Sequence, residues 1–286
     1  MTQGRAPGKV ILLGEHSVVY GHPALAASIP RYVTVDLAPA AEVRIELPGG
    51  IQTPFPLLEA AAAMARDAGF AGGFHAVLRS DIPLGSGLGS SAALGVALAR
   101  ALKAGCAPAE AASLAMRVEQ VLHGAPSGVD PAACAHEGVI FYTRGNPPAV
   151  ERVRGSAFLV VALSGIARGT HSTVLPLAER RKSDPRMDPL LARLGELARE
   201  GRDLFERGDL VRLGATFDAA HAALRELGVS CAELEQTVSA LRAAGALGAK
   251  LTGAGGGGAA IALAKGEQHA RELAAQTGGF AVKVGG

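Results

Sequence analysis

The chain has 286 residues, which is long enough for about two domains with substantial cores. Its formal net charge of +2 excludes the strong basic field that nucleic-acid-binding proteins present. Apolar residues make up 49% of the chain, as in ordinary globular proteins, and the three separated cysteines, Cys106, Cys134 and Cys231, favour reduced thiols over a disulfide framework or a zinc site.

The N-terminal residues do not resemble a targeting signal. Met1–Gly8 is polar, and no apolar core of a signal peptide follows it. The longest apolar stretches are interrupted by Arg or Lys before they reach the about 20 residues that span a bilayer. These features predict a soluble, cytoplasmic protein.

Hydrophobic periodicity predicts strands and helices in irregular alternation. In the first half, the predicted strands are Lys9–Leu13, Val33–Leu37, Val43–Leu47, Phe74–Arg79 and Gly138–Tyr142, and the predicted helices are Phe55–Ala68, Ala92–Lys103 and Pro108–Leu122. In the second half, the predicted strands are Phe158–Leu163, Lys250–Thr252, Ala259–Ala264 and Phe280–Val284, and the predicted helices are Pro189–Glu206, Leu210–Leu227, Cys231–Ala244 and Glu267–Gln276. The charged, proline-containing segment Leu177–Asp188 predicts a mobile surface excursion.

This irregular order predicts an α+β fold rather than a doubly wound parallel sheet. We expect a domain boundary near Val150–Ser156, which gives an N-terminal domain of residues 1–153 and a C-terminal domain of residues 154–286.

The segment Asp81–Ala93, DIPLGSGLGSSAA, is rich in glycine and serine and leads into a predicted helix. A flexible loop that ends at a helix N-terminus favours an anion, because backbone N–H groups and the helix dipole both point toward it. The hydroxyls of Ser90 and Ser91 can cap that helix or bind a metal held by phosphate. The alternative is a plain connecting turn, and the segment matches neither a Walker A loop nor a dinucleotide-binding fingerprint.

Three further segments carry polar groups at unusual places. In Ala6–Gly21, Lys9 opens an apolar strand, either as an edge-strand gatekeeper or as a cation for a phosphate or carboxylate, and Glu15 and His16 follow where the strand ends. In Glu119–Asp130, two carboxylates suit a metal ligand and a base, although Asp130 can also cap a helix beginning at Pro131. In Lys250–Gly258, KLTGAGGGG, the glycines predict a tight loop near a ligand or another backbone rather than a linker.

Together these motifs resemble the GHMP kinase superfamily, and most closely its mevalonate kinases. The pattern PxxxGLGSSAA is met from Pro83 to Ala93, and the C-terminal glycine motif by Lys250–Gly258. APGKVILLGEHSVVYG at Ala6–Gly21 and HGAPSGVD at His123–Asp130 resemble the mevalonate kinase forms. The resemblance implies a two-domain architecture, with an N-terminal domain like the second domain of ribosomal protein S5 and a ferredoxin-like C-terminal domain.

The resemblance also implies the chemistry and the site residues. ATP would donate its γ-phosphoryl group to the 5-hydroxyl of mevalonate, with Asp130 as the catalytic carboxylate and Lys9 as its partner. The expected ATP-binding residues are Pro83, Gly85, Ser86, Gly87, Leu88, Gly89, Ser90, Ser91 and Ala92, and Mg²⁺ would be held by Ser90, Ser91 and Glu119. The expected substrate-binding residues are Lys9, Glu15, His16, Asp130, Arg144, Thr170, Gly255 and Gly256. The family also implies a homodimer.

Two rival functions remain open at the level of the sequence. Another GHMP kinase would act on phosphomevalonate, homoserine or a sugar, and the run Arg180–Lys182 offers the cations that a phosphorylated acceptor would need. A galactokinase start would carry Arg and Asn before its GEH, and a decarboxylase of the same pathway would carry a Trp that this chain lacks. The other rival is a non-catalytic relative that senses a metabolite or binds a partner.

Overall fold

The computed structural model describes residues 1–83, 85–124, 126–166 and 171–286. The strands in these ranges are β1 (Thr2–Leu13), β2 (Ala24–Ala40), β3 (Arg44–Glu46), β4 (Gly73–Ser80), β5 (Val139–Thr143), β6 (Ala149–Val153), β7 (Ser156–Leu163), β8 (Gly248–Thr252), β9 (Ala259–Leu263) and β10 (Phe280–Gly285).

The helices in the same ranges are α1 (Phe55–Asp67), α2 (Ser90–Leu102), α3 (Pro108–His123), α4 (Val129–His136), α5 (His171–Ser183), α6 (Met187–Arg207), α7 (Leu210–Glu226), α8 (Ala232–Ala243) and α9 (Glu267–Thr277). Short 3₁₀ turns occur at Ser17–Tyr20 and Pro48–Gly50. None of the described helices combines the length and the apolarity that crossing a bilayer requires.

The larger sheet has six strands, in the order β3-β4-β2-β5-β6 with β1 pairing β2. Strand β2 is long enough to serve two partners in succession. Its residues Ala24–Ala27 pair antiparallel with β5, and its residues Val33–Ala40 pair antiparallel with β4. Strand β3 lies parallel to β4. The sheet is therefore mainly antiparallel with one parallel pair, which agrees with the predicted α+β class and not with a doubly wound parallel sheet.

The smaller sheet has four strands in the order β10-β7-β9-β8, and all neighbouring strands are antiparallel. Helices α5 to α8 separate β7 from β8, and α9 separates β9 from β10. This βαββαβ succession is the ferredoxin-like pattern that the sequence resemblance implied.

The chain forms two compact units that interleave along the sequence. The first unit comprises Met1–Lys9, Pro30–Pro83 and Gly89–Glu137, and the second comprises Val10–Ile29, Leu84–Leu88 and Gly138–Gly286. The domain boundary between residues 153 and 154 stays a prediction.

Each unit has its own apolar core, built mainly from Ala, Leu and Val as the scarcity of aromatic residues requires. In the first unit, ten residues of α2 are buried, and this helix packs against α3 and α4. In the second, β8 and β9 are buried along their whole length, and α8 and α9 pack against the sheet.

Several predicted element bounds are wrong. Strand β1 begins at Thr2 instead of Lys9, β2 extends far beyond the predicted Val33–Leu37, and β6 was not predicted. The predicted surface excursion at Leu177–Asp188 is instead the end of α5 and the start of α6. Its Glu, Arg and Lys residues are good helix formers, so the charge run marks a helix rather than a loop.

Candidate active site

The glycine-rich loop has a backbone suited to binding an anion. Gly85, Gly87 and Gly89 have positive φ of 68°, 73° and 79°, and the residues that alternate with them, Ser86 and Leu88, do not. Such alternation directs successive N–H groups toward one side and forms a concave anion site. The Leu88 N–H is engaged by the Ser86 hydroxyl at 3.4 Å.

The same loop ends at the N-terminus of α2. Ser90 is the first helical residue and Gly89 occupies the N-cap position, where no side chain caps the helix. A capping role for Ser90 or Ser91 is therefore wrong. The first turn carries no acidic residue, so no carboxylate of its own competes for the first N–H groups and the positive end of the helix dipole. Pro83 lies half-buried before the loop, and Ala92 is buried within the first turn.

Lys9 and Asp130 form an ion pair within the first unit. Lys9 Nζ lies 2.9 Å from Asp130 Oδ2, and the side chains are 1% and 27% exposed. Gly89 packs directly against this lysine: a Cβ there would lie 2.7 Å from Lys9 Cγ. Glycine is thus required by close approach as well as by its φ. The burial of Lys9 rules out the gatekeeper alternative, which needs an exposed lysine on a sheet edge.

Asp130 lies inside the first turn of α4 and does not cap it. The helix begins at Val129, Gly128 is its N-cap residue, and no side chain caps it. The alternative capping role for Asp130 is therefore wrong. One turn later, burial raises the pKa of the Cys134 thiol well above its usual range, and the nearby Asp130 carboxylate acts in the same direction. This thiol stays protonated and is not a nucleophile.

Ser91 and Glu119 meet at the same imidazole. Ser91 Oγ lies 3.0 Å from His123 Nε2, and Glu119 Oε1 lies 3.8 Å from the same nitrogen. Glu119 is only 2% exposed. Helix α3 thus brings a buried carboxylate close to the first turn of α2.

The Ser91 hydroxyl and the Glu119 carboxylate are suitable ligands for Mg²⁺. The described residues contain no cluster of three or more His, Cys, Asp or Glu side chains able to hold a metal ion by themselves. Mg²⁺ does not need one, because it binds through one or two carboxylates together with substrate phosphates and water. A serine hydroxyl and a carboxylate next to the N-terminus of α2 supply the oxygen ligands that it prefers.

In the second unit, Glu15 and Lys250 form a buried ion pair. Both side chains have no exposed surface, and Lys250 Nζ donates to Glu15 Oε1. The ammonium also donates to the Leu251 carbonyl at 2.8 Å. Burial lowers the pKa of Lys250, and the Glu15 carboxylate acts in the opposite direction. In this arrangement Glu15 faces a lysine and not solvent.

His16 follows Glu15 in a conformation that non-glycine residues seldom adopt, with φ 60°. Its Nε2 lies 3.0 Å from the Ala254 carbonyl oxygen. Because a carbonyl only accepts, this nitrogen carries the proton. The 3₁₀ turn that follows extends to Tyr20, and Arg144 donates to the Val19 carbonyl at 3.0 Å.

The glycine run after β8 lies against other backbone, one of the two readings that its composition predicted. A Cβ at Gly255 would lie 1.9 Å from the Val229 carbonyl oxygen, and φ there is 75°. The Gly256 N–H donates to that carbonyl at 2.9 Å, and the Gly258 N–H donates to the Ile166 carbonyl at 2.9 Å. The run is therefore a packed loop and not a linker.

Two residues at these contacts escaped prediction as site residues. Lys250 was noted only as the first residue of a glycine motif, although it is one of just six lysines and opens a strand that is otherwise apolar. His123 stands four residues after Glu119 on α3, a spacing that places both on one helix face. Thr170, an expected substrate contact, lies outside the described residues.

Comparison with known proteins identifies the family. The family model of the GHMP kinase N-terminal domain matches residues 56–138, and that of the GHMP kinase C-terminal domain matches residues 202–279. A mevalonate kinase of Pyrococcus abyssi is 33% identical over 98% of this chain and 92% of its own length. A mevalonate kinase of Aeropyrum pernix is 37% identical over 91% of this chain and 87% of its own. The chain belongs to the GHMP kinase family.

A solved structure agrees with this assignment. The crystal structure of L. major mevalonate kinase in complex with R-mevalonate superimposes with a TM-score of 0.87 at 29% identity, covering 100% of this chain and 96% of that one. The predicted two-domain GHMP kinase fold is confirmed.

Replacing Lys250 tests the buried pair. We expect Lys250→Met to lower the free energy of unfolding by about 3–5 kcal/mol, because it leaves the Glu15 carboxylate buried without a counter-charge. The exposed pair Arg271–Glu267 on α9 provides the control, and Arg271→Met should change stability by less than about 1 kcal/mol. Urea unfolding measures both values, and equal losses would contradict the importance of the Glu15 contact.

Proposed function

We propose that this protein is a mevalonate kinase, which transfers the γ-phosphoryl group of ATP to the 5-hydroxyl of mevalonate and gives 5-phosphomevalonate. The observation that carries the proposal is the Lys9–Asp130 ion pair, which lies in the same unit as the anion-binding start of α2. The acceptor follows from the relatives, because the proteins that this chain matches over nearly its full length are mevalonate kinases.

ATP binding rests on the glycine-rich loop and the N-terminus of α2. We assign the phosphates to the backbone of Gly85–Gly89, to Ser90, Ser91 and Ala92, and to the chain entering the loop at Pro83. Positive-φ glycines and the N–H groups of the first helical turn favour phosphate oxygens without needing a P-loop lysine.

Asp130 and Lys9 act on the acceptor hydroxyl. The Asp130 carboxylate, which is partly exposed, accepts or orients the hydroxyl proton, and Lys9 holds that carboxylate at 2.9 Å. Held in this way, Asp130 works mainly by orienting the hydroxyl and by electrostatics. Phosphoryl transfer requires chiefly this kind of alignment and charge compensation.

We assign Mg²⁺ to Glu119 and the hydroxyls of Ser90 and Ser91. Ser91 is the better supported of the two serines, because its Oγ and the Glu119 carboxylate approach the same His123 nitrogen. The chemistry that Mg²⁺ supplies when bound is neutralisation of charge on the transferred phosphoryl group. Glu119 in turn supplies a buried negative charge that is fixed by its helix.

Within the second unit, the proposed mevalonate-binding residues include Arg144 and His16. Arg144 is exposed and donates to the Val19 carbonyl, and its guanidinium suits the substrate carboxylate. His16 stands at the start of the same 3₁₀ turn. Gly255, Gly256 and Thr170 complete the proposed set, and Glu15 is left out of it because its carboxylate is fully buried against Lys250.

A phosphorylated acceptor is less well supported. The cations of Arg180–Lys182 already have protein partners: Arg180 donates to the Leu227 carbonyl at 2.8 Å, and Arg181 and Lys182 pair with Asp188 and Glu179. The Lys9–Asp130 ion pair likewise supports a working kinase over a non-catalytic relative. A homodimer and a cytoplasmic location stay predictions.

Acceptor specificity tests the proposal directly. We expect ADP release with Mg²⁺ and ATP to depend on mevalonate, and to stay at the background rate with phosphomevalonate, homoserine or galactose. Turnover on another of these acceptors would replace mevalonate as the substrate while keeping the family. ATP binding without turnover on any of them would favour a non-catalytic role.

Removing the charge of Asp130 tests its catalytic role. We expect Asp130→Asn to reduce kcat by about 10²- to 10⁴-fold, since the group acts mainly in the transition state, while the affinity for ATP stays within about twofold. Asp67→Asn, which removes a surface carboxylate paired with Arg117, is the control and should keep wild-type turnover. A kcat close to wild type in Asp130→Asn would exclude this residue from the mechanism.

Replacing Glu119 tests the proposed metal ligand. We expect Glu119→Gln to raise the Mg²⁺ concentration for half-maximal activity by about tenfold or more, because the amide is neutral and binds Mg²⁺ weakly. Glu110→Gln, at the surface pair with Lys103 on the same helix, should leave the Mg²⁺ dependence unchanged. Identical Mg²⁺ titrations for both variants would contradict a metal role for Glu119.

A further inference from the structure

The end of β1 and the segment around β8 are joined by side-chain contacts within the second unit. Thr252 Oγ1 accepts from the Ile11 N–H at 2.9 Å and donates to the Ile11 carbonyl at 3.0 Å. Lys250 donates to Glu15, and His16 bonds the Ala254 carbonyl. Residues two apart on a strand face the same side, so the side chains of Lys250 and Thr252 both reach toward the chain between Ile11 and His16.

The Glu15–Lys250 ion pair differs from the other contacts because burying two charges costs free energy of desolvation. Both Glu15 and Lys250 lack exposed surface, and the lysine ammonium also lies 5.9 Å from the centre of the Phe217 ring. Apolar side chains of similar volume often replace a buried ion pair with no loss of stability, or with a gain. Stability alone therefore does not account for charges at these two positions.

A role in orienting His16 accounts better for the charges of Glu15 and Lys250. Glu15 directly precedes His16, whose positive φ is sparsely populated and persists only when neighbouring contacts fix it. Lys250 holds Glu15, the residue that precedes His16, through their ion pair. The Ala254 carbonyl fixes the imidazole at 3.0 Å, and this carbonyl belongs to the same glycine-rich segment that Lys250 introduces.

We propose that Lys250 is a positioning residue, which acts through Glu15 to hold His16 and the glycine run Gly253–Gly258 in one fixed arrangement. The proposal rests on the proposed function, because His16 is there assigned to mevalonate. It gives Glu15 a different part from the one expected: the fully buried carboxylate orients its neighbour and does not touch the substrate.

The double variant Glu15→Met/Lys250→Met separates positioning from stability. It removes both charges and keeps unbranched side chains of similar length, so no charge is left buried and the protein should fold with a Tm within about 5 °C of wild type. Misplacement of a substrate-binding group by about 1 Å costs about 10²-fold in rate. We therefore expect kcat/KM for mevalonate to fall by about 10²-fold, while KM for ATP stays unchanged.

Amide hydrogen exchange measures the order of the same segments without an activity assay. In the double variant, amides of residues 14–21 and 253–258 should exchange about tenfold faster or more, because a local contact that restrained them is gone. Amides of α9, elsewhere in the same unit, should exchange at the wild-type rate.

The ion pair Arg242–Asp218 provides a matched control, since the Asp218 carboxylate also accepts from a β8 amide, that of Ala249, at 3.0 Å. Arg242→Met should lower stability without changing kcat/KM for mevalonate or exchange in residues 14–21. If Arg242→Met lowers kcat/KM as much as the double variant does, Lys250 has no special role and the proposal fails.

The two readouts distinguish failure of this proposal from failure of the proposed function. A wild-type protein that does not turn over mevalonate contradicts the function, and the exchange rates of the double variant then decide the contact alone. A folded double variant with wild-type exchange in both segments, or with wild-type kcat/KM, overturns the positioning role of Lys250.

Discussion

A lysine ammonium that is removed from water needs a carboxylate beside it, and this requirement organises both polar clusters of the protein. Lys9 lies against Asp130 in the first unit, and Lys250 lies against Glu15 in the second. Unpaired burial of either charge would cost several kcal/mol, comparable with the whole stability of a domain. The elements that carry these four residues are thus constrained in pairs, α4 with β1 and β8 with the turn after β1.

The chain from Lys9 to Glu15 contributes to both clusters, since Lys9 lies in β1 and Glu15 in the turn that follows it. Lys9 ends the segment Met1–Lys9 of the first unit, and the next segment, Val10–Ile29, belongs to the second. The two pairs differ in exposure, and this difference separates their roles. Asp130 keeps 27% of its side chain exposed and can meet a substrate hydroxyl, whereas Glu15 keeps none and can only act on its neighbours.

The sequence predicted those features that depend on local chemistry. The glycines before α2 predicted sharply turning backbone, and the motif resemblance paired Lys9 with Asp130, whose side chains form an ion pair. Contacts between residues far apart in the sequence could not be predicted. Nothing in the spacing of Glu15 and Lys250 indicates that they touch, and Pro30 and Arg31 interrupt the apolar pattern of β2, so its full length is not visible in the sequence. The charged residues at the end of α5 are typical of an exposed loop as well as of a helix, so the sequence does not predict this helix.

The hydrogen bonds between Ile11 and Thr252 join residues 241 positions apart. During synthesis at about 5–20 residues per second, the end of β1 leaves the ribosome roughly 10–50 s before β8 exists. Over that interval the Ile11 N–H and carbonyl lack the Thr252 hydroxyl that bonds both of them. The second unit therefore closes only after β8 has been synthesised, and the end of β1 stays without these hydrogen-bond partners until then.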